Sequence, residues 1–490
     1  MRPSLVLGLP LLGAVQAAVS PVSVYGNKFF NEDGSQFFLK GVAYQLTSDD
    51  PLIDADQCAR DAALMKELGA NSIRVYHVDS SADHSACMST FSDAGIYLLV
   101  DLDTFATYLL PNDPGWSKTQ YDAYAAVMDE FQKYDNTLGF FVGNEVIAQA
   151  SQSLAAPYIK AAARDMKAYR DSKGYREIPV GYSAADIAEL RPMLQDFLTC
   201  SANASDNVDF FSLNSYEWCG DATYSTSGYT NLEAQAVKFP VPIFFSETGC
   251  NVGGPRTFAD QAAIFGDEMV NDWSGSIIYE WIQETNDYGL ISYGPPADPT
   301  AVASNVVAGY TRAGTPTPVS PDFANLKAQW ATLTPAGIKK ADENTATLST
   351  RACPAASSGA GAWLVDGDVK LPTIGEALAT ASSTSGSSNS AAATGTGASG
   401  TNTGSSASSK GSSATSTESS ATSTKSSASG TGSSASGTVS SAADTGASKT
   451  GTGASASSSS SSQSPASPSS QVTKMTAGLL GVMMVFTLLL

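Results

Sequence analysis

The chain has 490 residues and a formal charge of −20, with 47 acidic against 27 basic side chains and only two histidines, His77 and His84. A surface that acidic repels polyanions, so nucleic acid is not expected as a partner and an uncharged polymer is easily accommodated. With two histidines there is little material for a His-rich metal site or a Ser-His-Asp triad, and neither a G-x-G-x-x-G fingerprint after the first strand nor a P-loop is present, so no metal and no cofactor is expected.

In chain order, Met1 to Ala18 places Arg2 before the apolar run Leu5 to Val15 and small residues near Ala17, which predicts a signal peptide over 1–17. A folded region is expected over 18–375. Eight short, continuously apolar strands are predicted in it: Phe37 to Tyr44, Ser72 to Val78, Ile96 to Leu102, Leu138 to Gly143, Ile178 to Ser183, Val208 to Leu213, Ile243 to Ser246 and Ser276 to Tyr279. Helix-period stretches fall between them, among them Ala59 to Leu68, Tyr121 to Lys133, Leu154 to Asp171 and Asp260 to Val270. Strands alternating with helices imply a parallel sheet, and eight such units over this length predict a closed (β/α)8 TIM barrel rather than a doubly wound open sheet. From 376 to 470 the chain is nearly all Ser, Thr, Gly and Ala, which reads as a disordered stalk suited to O-glycosylation. Residues 471–490 combine a polar spacer, Gln471 to Lys474, with the apolar tail Ala477 to Leu490, the order of a GPI-attachment signal. The expected location is therefore the outer face of the plasma membrane, or the cell wall.

All six cysteines (Cys58, Cys87, Cys200, Cys219, Cys250 and Cys353) lie in the folded region, an even number that suggests three disulfides with fifteen possible pairings. Asn203-Ala204-Ser205 is a sequon for an N-glycan.

Catalysis in such a barrel belongs at the carboxyl ends of the strands. The residues there are Tyr44 and Gln45, Tyr76 and His77, Asp101 and Asp103, Asn144 and Glu145, Asp186, Asn214 and Tyr216, Glu247, and Tyr279 and Glu280. This rim is acidic and aromatic with almost no base. Glu145 and Glu247 each come straight off an apolar strand, the fourth and the seventh, so their carboxylates can face each other across the mouth. A carboxylate pair across a sugar bond is what glycoside hydrolysis requires, one protonating the leaving oxygen and the other attacking the anomeric carbon. Tyr44, Tyr76, Tyr216 and Tyr279 are candidates to stack on sugar faces. Asp101 and Asp103 suit hydrogen bonds to sugar hydroxyls or backbone better than a metal.

These segments resemble a known family: Val22 onward (VSVYGNKFFNEDGSQFFLKGVAYQ), Asn71 to His77 (NSIRVYH), Phe141 to Val146 (FVGNEV), Asn214 to Gly220 (NSYEWCG), Phe245 to Cys250 (FSETGC) and Tyr279 to Leu290 (YEWIQETNDYGL). They resemble the fungal Gas/Gel/Phr β-1,3-glucanosyltransferases, glycoside hydrolase family 72. The resemblance implies Glu145 as acid/base and Glu247 as nucleophile. It implies donor-glucan contacts from Tyr76, Asn144, Tyr279 and the loop starting at Asp103, acceptor contacts from Asp186 and Arg191, and a tyrosine near the nucleophile at Tyr216. It also implies the disulfides Cys58–Cys87, Cys200–Cys353 and Cys219–Cys250. The implied activity cleaves an internal β-1,3 bond and transfers the retained glycosyl to the non-reducing end of another β-1,3-glucan, lengthening it. No cysteine follows Cys353, so the resemblance is to short members without a cysteine-rich carbohydrate-binding module, and glucan binding is expected from the barrel cleft alone. The competing expectations are a hydrolytic endo-β-1,3-glucanase and a non-catalytic glucan-binding wall protein. A monomer is expected.

Overall fold

A computed structural model describes residues 19–46, 50–300, 305–359 and 361–378. The expected signal peptide, the stalk beyond 378 and the GPI-attachment signal lie outside them.

The described chain opens with three short antiparallel strands, β1 (Ser23–Tyr25), β2 (Lys28–Phe30) and β3 (Gln36–Phe37); the first two are not among the predicted strands, and the third ends at Phe37, where the first predicted strand begins. β1 and β2 are joined through Gly26, whose φ of 61° suits a residue without a Cβ. The eight barrel strands follow: β4 (Leu39–Ala43), β5 (Ser72–Val75), β6 (Tyr97–Asp101), β7 (Thr137–Asn144), β8 (Val180–Ala185), β9 (Phe210–Asn214), β10 (Ile243–Thr248) and β11 (Trp273–Ile278). Each pairs in parallel with the next, and β11 returns to β4, so the sheet closes. All eight predicted strands are present, and the fold is the expected (β/α)8 barrel.

The helices on its outside are α1 (Ala55–Leu68), α2 (Ser85–Ala94), α3 (Lys118–Phe131), α4 (Ala156–Ser172), α5 (Arg191–Thr199), α6 (Tyr229–Ala236), α7 (Asp260–Ile264) and α8 (Asp322–Thr332). Local chemistry sets their limits. Asp54 caps α1 by accepting from the Gln57 N–H, and α1 stops at Gly69, which takes the left-handed conformation at φ 94°. Ser117 and Gln120 close a reciprocal capping box on α3. The helix expected over Asp260 to Val270 is shorter than its apolar period suggests: α7 ends at Ile264 and the chain turns before Trp273.

Two layers of apolar packing result. Outward-facing residues such as Ile73 and Val75 pack under the helices, while Leu39, Leu99, Phe141, Phe210, Phe244 and Ile277 fill the barrel. Phe29 of β2 belongs to the inner cluster, its ring 6.0 Å from Phe244 and 6.4 Å from Phe210. The N-terminal sheet is thus a plug for the amino end of the barrel, which leaves the carboxyl end to carry polar groups.

Three disulfides form, Cys58–Cys87, Cys200–Cys353 and Cys219–Cys250, the pairing that the resemblance implies. The first ties α1 to α2, and the third ties the loops that follow β9 and β10. The second anchors a C-terminal segment that runs along the outside of the barrel, where Trp363 is fully buried against Phe197 and the Leu378 N–H donates to the Tyr158 hydroxyl at 2.8 Å. Among the described residues no helix is long and apolar enough to cross a membrane.

Candidate active site

The centre of the barrel mouth is organised by a residue that the sequence reading passed over. Arg74, in the middle of β5, is fully buried, and a buried guanidinium persists only where its donors are matched. Its Nε and Nη2 donate to the two oxygens of Asp101 at 3.1 and 2.9 Å, a bidentate pair. Nη2 also reaches Asn144 Oδ1 at 3.0 Å, and Nη1 reaches Ser183 Oγ at 3.2 Å and Glu247 Oε1 at 3.4 Å. Its plane lies between the rings of Tyr76 and Phe141, each centroid 4.4 Å away. Burial opposes the charge, but Asp101, Tyr76 and Glu247 outweigh it and hold the guanidinium above its ordinary pKa. The signal that could have found it is the presence of one charged residue inside an otherwise apolar buried strand, which demands a partner. Asp101 is that partner, buried at 2% exposure, and its carboxylate pairs with a side chain rather than with the sugar hydroxyls or backbone expected of it.

Glu247 ends β10 and is saturated with donors. Besides Arg74, the Tyr76 hydroxyl donates to its Oε1 at 2.9 Å and the Tyr216 hydroxyl to its Oε2 at 2.9 Å. Burial pushes its carboxyl up to about 7; Arg74 and the two hydroxyls pull down, and the nearby Glu145 charge pushes up again. Glu145, immediately after β7, has one donor on its carboxyl, Asn214 Nδ2 to Oε1 at 3.1 Å. Burial raises its pKa, with the Asn214 bond and Arg74 opposing. Its backbone sits at φ 50°, a strained region for a residue with a Cβ, and is held there by a hydrogen bond from its N–H to the Ser183 carbonyl at 2.9 Å.

Asn214 ties the two acids together. Its Nδ2 donates to both Glu145 and Asn144 Oδ1, the latter at 3.0 Å, while its Oδ1 accepts from Ser183 and Ser246 at 2.9 and 2.8 Å. Six strands, β5 to β10, therefore contribute to one hydrogen-bonded network, and each carboxylate is oriented by groups that are themselves fixed. The Glu145 charge raises the Glu247 carboxyl beyond what burial does, so the two acids do not ionise together cheaply. Among the described residues three donors reach Glu247 and one reaches Glu145, which favours the anion on Glu247 against the burial that pushes its carboxyl up to about 7. A protonated acid and a carboxylate anion so arranged can act as proton donor and nucleophile on one acetal carbon.

Tyr279 lies beside Tyr216, ring centroids 6.4 Å apart edge to face, and both approach Tyr288, which the sequence reading did not single out, at 5.5 and 5.6 Å. Asp103 lies past the end of β6, its carboxyl pushed up to about 8 by burial and by the charge of Asp101. Asp186 and Arg191 form an ion pair, with Asp186 Oδ2 also accepting from Ser215 at 2.6 Å and Arg191 Nε donating to Gln235 at 3.0 Å. Arg191 is buried at 4% exposure, beneath rather than on the rim. Tyr44 is also not a rim residue: it is fully buried and donates to Asp61 at 2.9 Å, so it belongs to the packing under α1. Glu280 is buried and accepts from Asn286 at 2.7 Å. Asn203 is exposed at the start of a short 3-10 turn.

A family profile described as Glucanosyltransferase matches residues 12–302. The chain belongs to the glucanosyltransferase family. It is 38% identical over 387 residues to the 1,3-beta-glucanosyltransferase gas1 of Schizosaccharomyces pombe, covering 77% of this chain and 67% of that one. It is 42% identical over 298 residues to pH-responsive protein 1 of Candida albicans, covering 57% of this chain and 54% of the relative. The chain thus spans between about half and two thirds of the length of these relatives. Among solved structures, Saccharomyces cerevisiae Gas2p in complex with laminaritriose and laminaritetraose superposes with a TM-score of 0.65 at 36% identity, over 73% of this chain and 77% of that one. A Gas2p mutant in complex with laminaritetraose and laminaripentaose gives 0.64 at 35%, over 72% and 74%. Among the described residues all the cysteines lie in the three disulfides of the barrel domain.

Proposed function

We propose that this glucanosyltransferase-family chain is a retaining β-1,3-glucanosyltransferase that lengthens β-1,3-glucan for fungal cell-wall assembly. The observation that carries the reading is the asymmetry of the two acids within one network: three donors on Glu247 and one on Glu145. Glu247 attacks the anomeric carbon while Glu145 gives its proton to the glycosidic oxygen, the reducing-side fragment leaves, and a glycosyl ester on Glu247 results. Glu145, now a carboxylate, then takes the proton from the 3-hydroxyl of an incoming glucan, whose oxygen displaces Glu247 and restores both acids. Transfer rather than hydrolysis requires the acceptor to be held more effectively than water, and the tyrosines 76, 216 and 279 offer apolar faces for donor and acceptor sugars. Asp103, Asn144, Asp186 and, through Asp186, Arg191 complete the proposed substrate contacts.

Extracellular action, attachment through a GPI anchor, and an N-glycan at the exposed Asn203 are proposed with it, on the sequence signals described above. A monomer suffices, since both acids and all their donors come from one chain.

The test is incubation of the purified full-length chain with a borohydride-reduced β-1,3-gluco-oligosaccharide and separation of the products by size. Products longer than the substrate are expected, and they vanish in Glu145→Gln and Glu247→Gln. Shorter products alone would make the chain a hydrolase. With an activated aryl glycoside, whose leaving group needs no proton, Glu145→Gln should still release the aryl alcohol and Glu247→Gln should not.

A further inference from the structure

Arg256 lies outside the acid network, in the loop between β10 and α7, at 4% exposure. All five of its N–H groups are used. Nε donates to Asp322 Oδ2 at 2.6 Å. Nη1 donates to the carbonyls of Tyr279 at 3.0 Å and Gly249 at 3.5 Å, and Nη2 to those of Tyr288 at 2.8 Å and Gly289 at 3.4 Å. The guanidinium therefore joins three stretches of backbone: the turn two residues past Glu247, the end of β11, and the return of the loop after it. The loop is closely folded, since a Cβ at Gly289 would lie 2.1 Å from Gln283 Cα. A second buried cation, Arg312, pairs with Glu284 farther along the same loop. The first turn of α8 fixes the Arg256 clamp from behind: Asp322 takes Nε, and Asn325 donates to the Arg256 carbonyl at 2.7 Å.

The pinned segments carry Tyr279 and Tyr288, whose rings meet each other and Tyr216, the hydroxyl donor to Glu247. We infer that Arg256 is a positioning residue that holds this tyrosine wall against the nucleophile and so sets how tightly the glycan is held there. The inference rests on the proposed glycan chemistry for its consequence, though not for the clamp itself. A lysine keeps the charge but presents one ammonium where five directed donors are needed, so it cannot span three backbone segments.

Two readouts separate the parts. In Arg256→Lys of the full-length chain, hydrogen exchange of the 279–290 amides should quicken at least tenfold while β5 to β8 keep wild-type protection. KM for β-1,3-gluco-oligosaccharide should rise about tenfold, with kcat within about threefold. Asp322→Asn, which leaves Arg256 in place but unanchored, should shift both measures in the same direction by less, and it serves if the lysine variant does not fold. Unchanged exchange over 279–290 would overturn the clamp whether or not the wild type acts on glucan. Quickened exchange with an unchanged KM, or a loss confined to kcat as from a smaller active fraction, would overturn its role in holding the glycan. A wild type inactive on glucan would instead sink the proposed function, with the exchange measurement still deciding the clamp.

Discussion

The two ends of the barrel are built from the same strands and obey opposite rules. On β7, Phe141 sits in the inner aromatic cluster while Asn144 and the following Glu145 join the polar network; on β9 the pair is Phe210 and Asn214, and on β10 it is Phe244 and Glu247. The plugged amino end is apolar, its phenylalanine rings 5.1 to 6.4 Å apart, and gains from every methylene removed from water. The open carboxyl end holds carboxyls at raised pKa and a left-handed glutamate, arrangements that cost stability and persist because the lower half of each strand fixes them. Stability and chemistry are thus separated along single strands over a rise of three or four residues.

Glu247→Gln separates them most sharply. Transfer activity should fall by about a thousandfold or more, since the residual rate comes only from groups that do not form the covalent bond. Its unfolding midpoint should match or exceed that of the wild type, because a buried carboxyl has been replaced by an uncharged amide. Phe244→Ala is the converse at the plug: a loss of about 3 to 5 kcal/mol in denaturant unfolding, with KM of the folded fraction close to wild type. Arg74→Met sits on the seam and should damage both, by about 3 to 5 kcal/mol of stability because Asp101 is left buried and unpaired, and by a fall in kcat because Glu247 loses a donor.

The smallest effect expected is on pH dependence. Asp260, Glu247 and Asp103 are pushed up to about 6, 7 and 8, each first by burial. A carboxyl whose folded pKa lies above its unfolded value binds more protons when folded. Its contribution is therefore complete below the unfolded value near 4 and is lost as pH rises through 6 to 8. The urea midpoint should fall between pH 5 and pH 8.5, and Glu247→Gln should flatten part of that slope.

Much of this was legible beforehand. The eight strands declared themselves because strands covered on both faces read as unbroken apolar runs, and Glu145 and Glu247 stood out as acids at their carboxyl ends. What stayed hidden depended on direction rather than composition. Arg74 lies inside a predicted strand, and its alternation inward became meaningful only once the ring closed around Asp101, Asn144, Ser183 and Glu247. Tyr44 looked like a rim aromatic until its hydroxyl was found on Asp61, and α7 stopped short of its apolar period because the chain must turn at once into β11.

The barrel and the family were readable from the chain alone, and Glu145 and Glu247 stood out at strand ends, since period, apolar runs and motifs are local properties of the chain. Which acid accepts more donors emerged only on folding, because those on Glu247 come from Arg74 in β5, Tyr76 just past it and Tyr216 just past β9, up to 173 residues away along the chain. Hydrogen bonds act over about 3 Å in space, and spacing along the chain carries no record of which donors folding will bring within that reach.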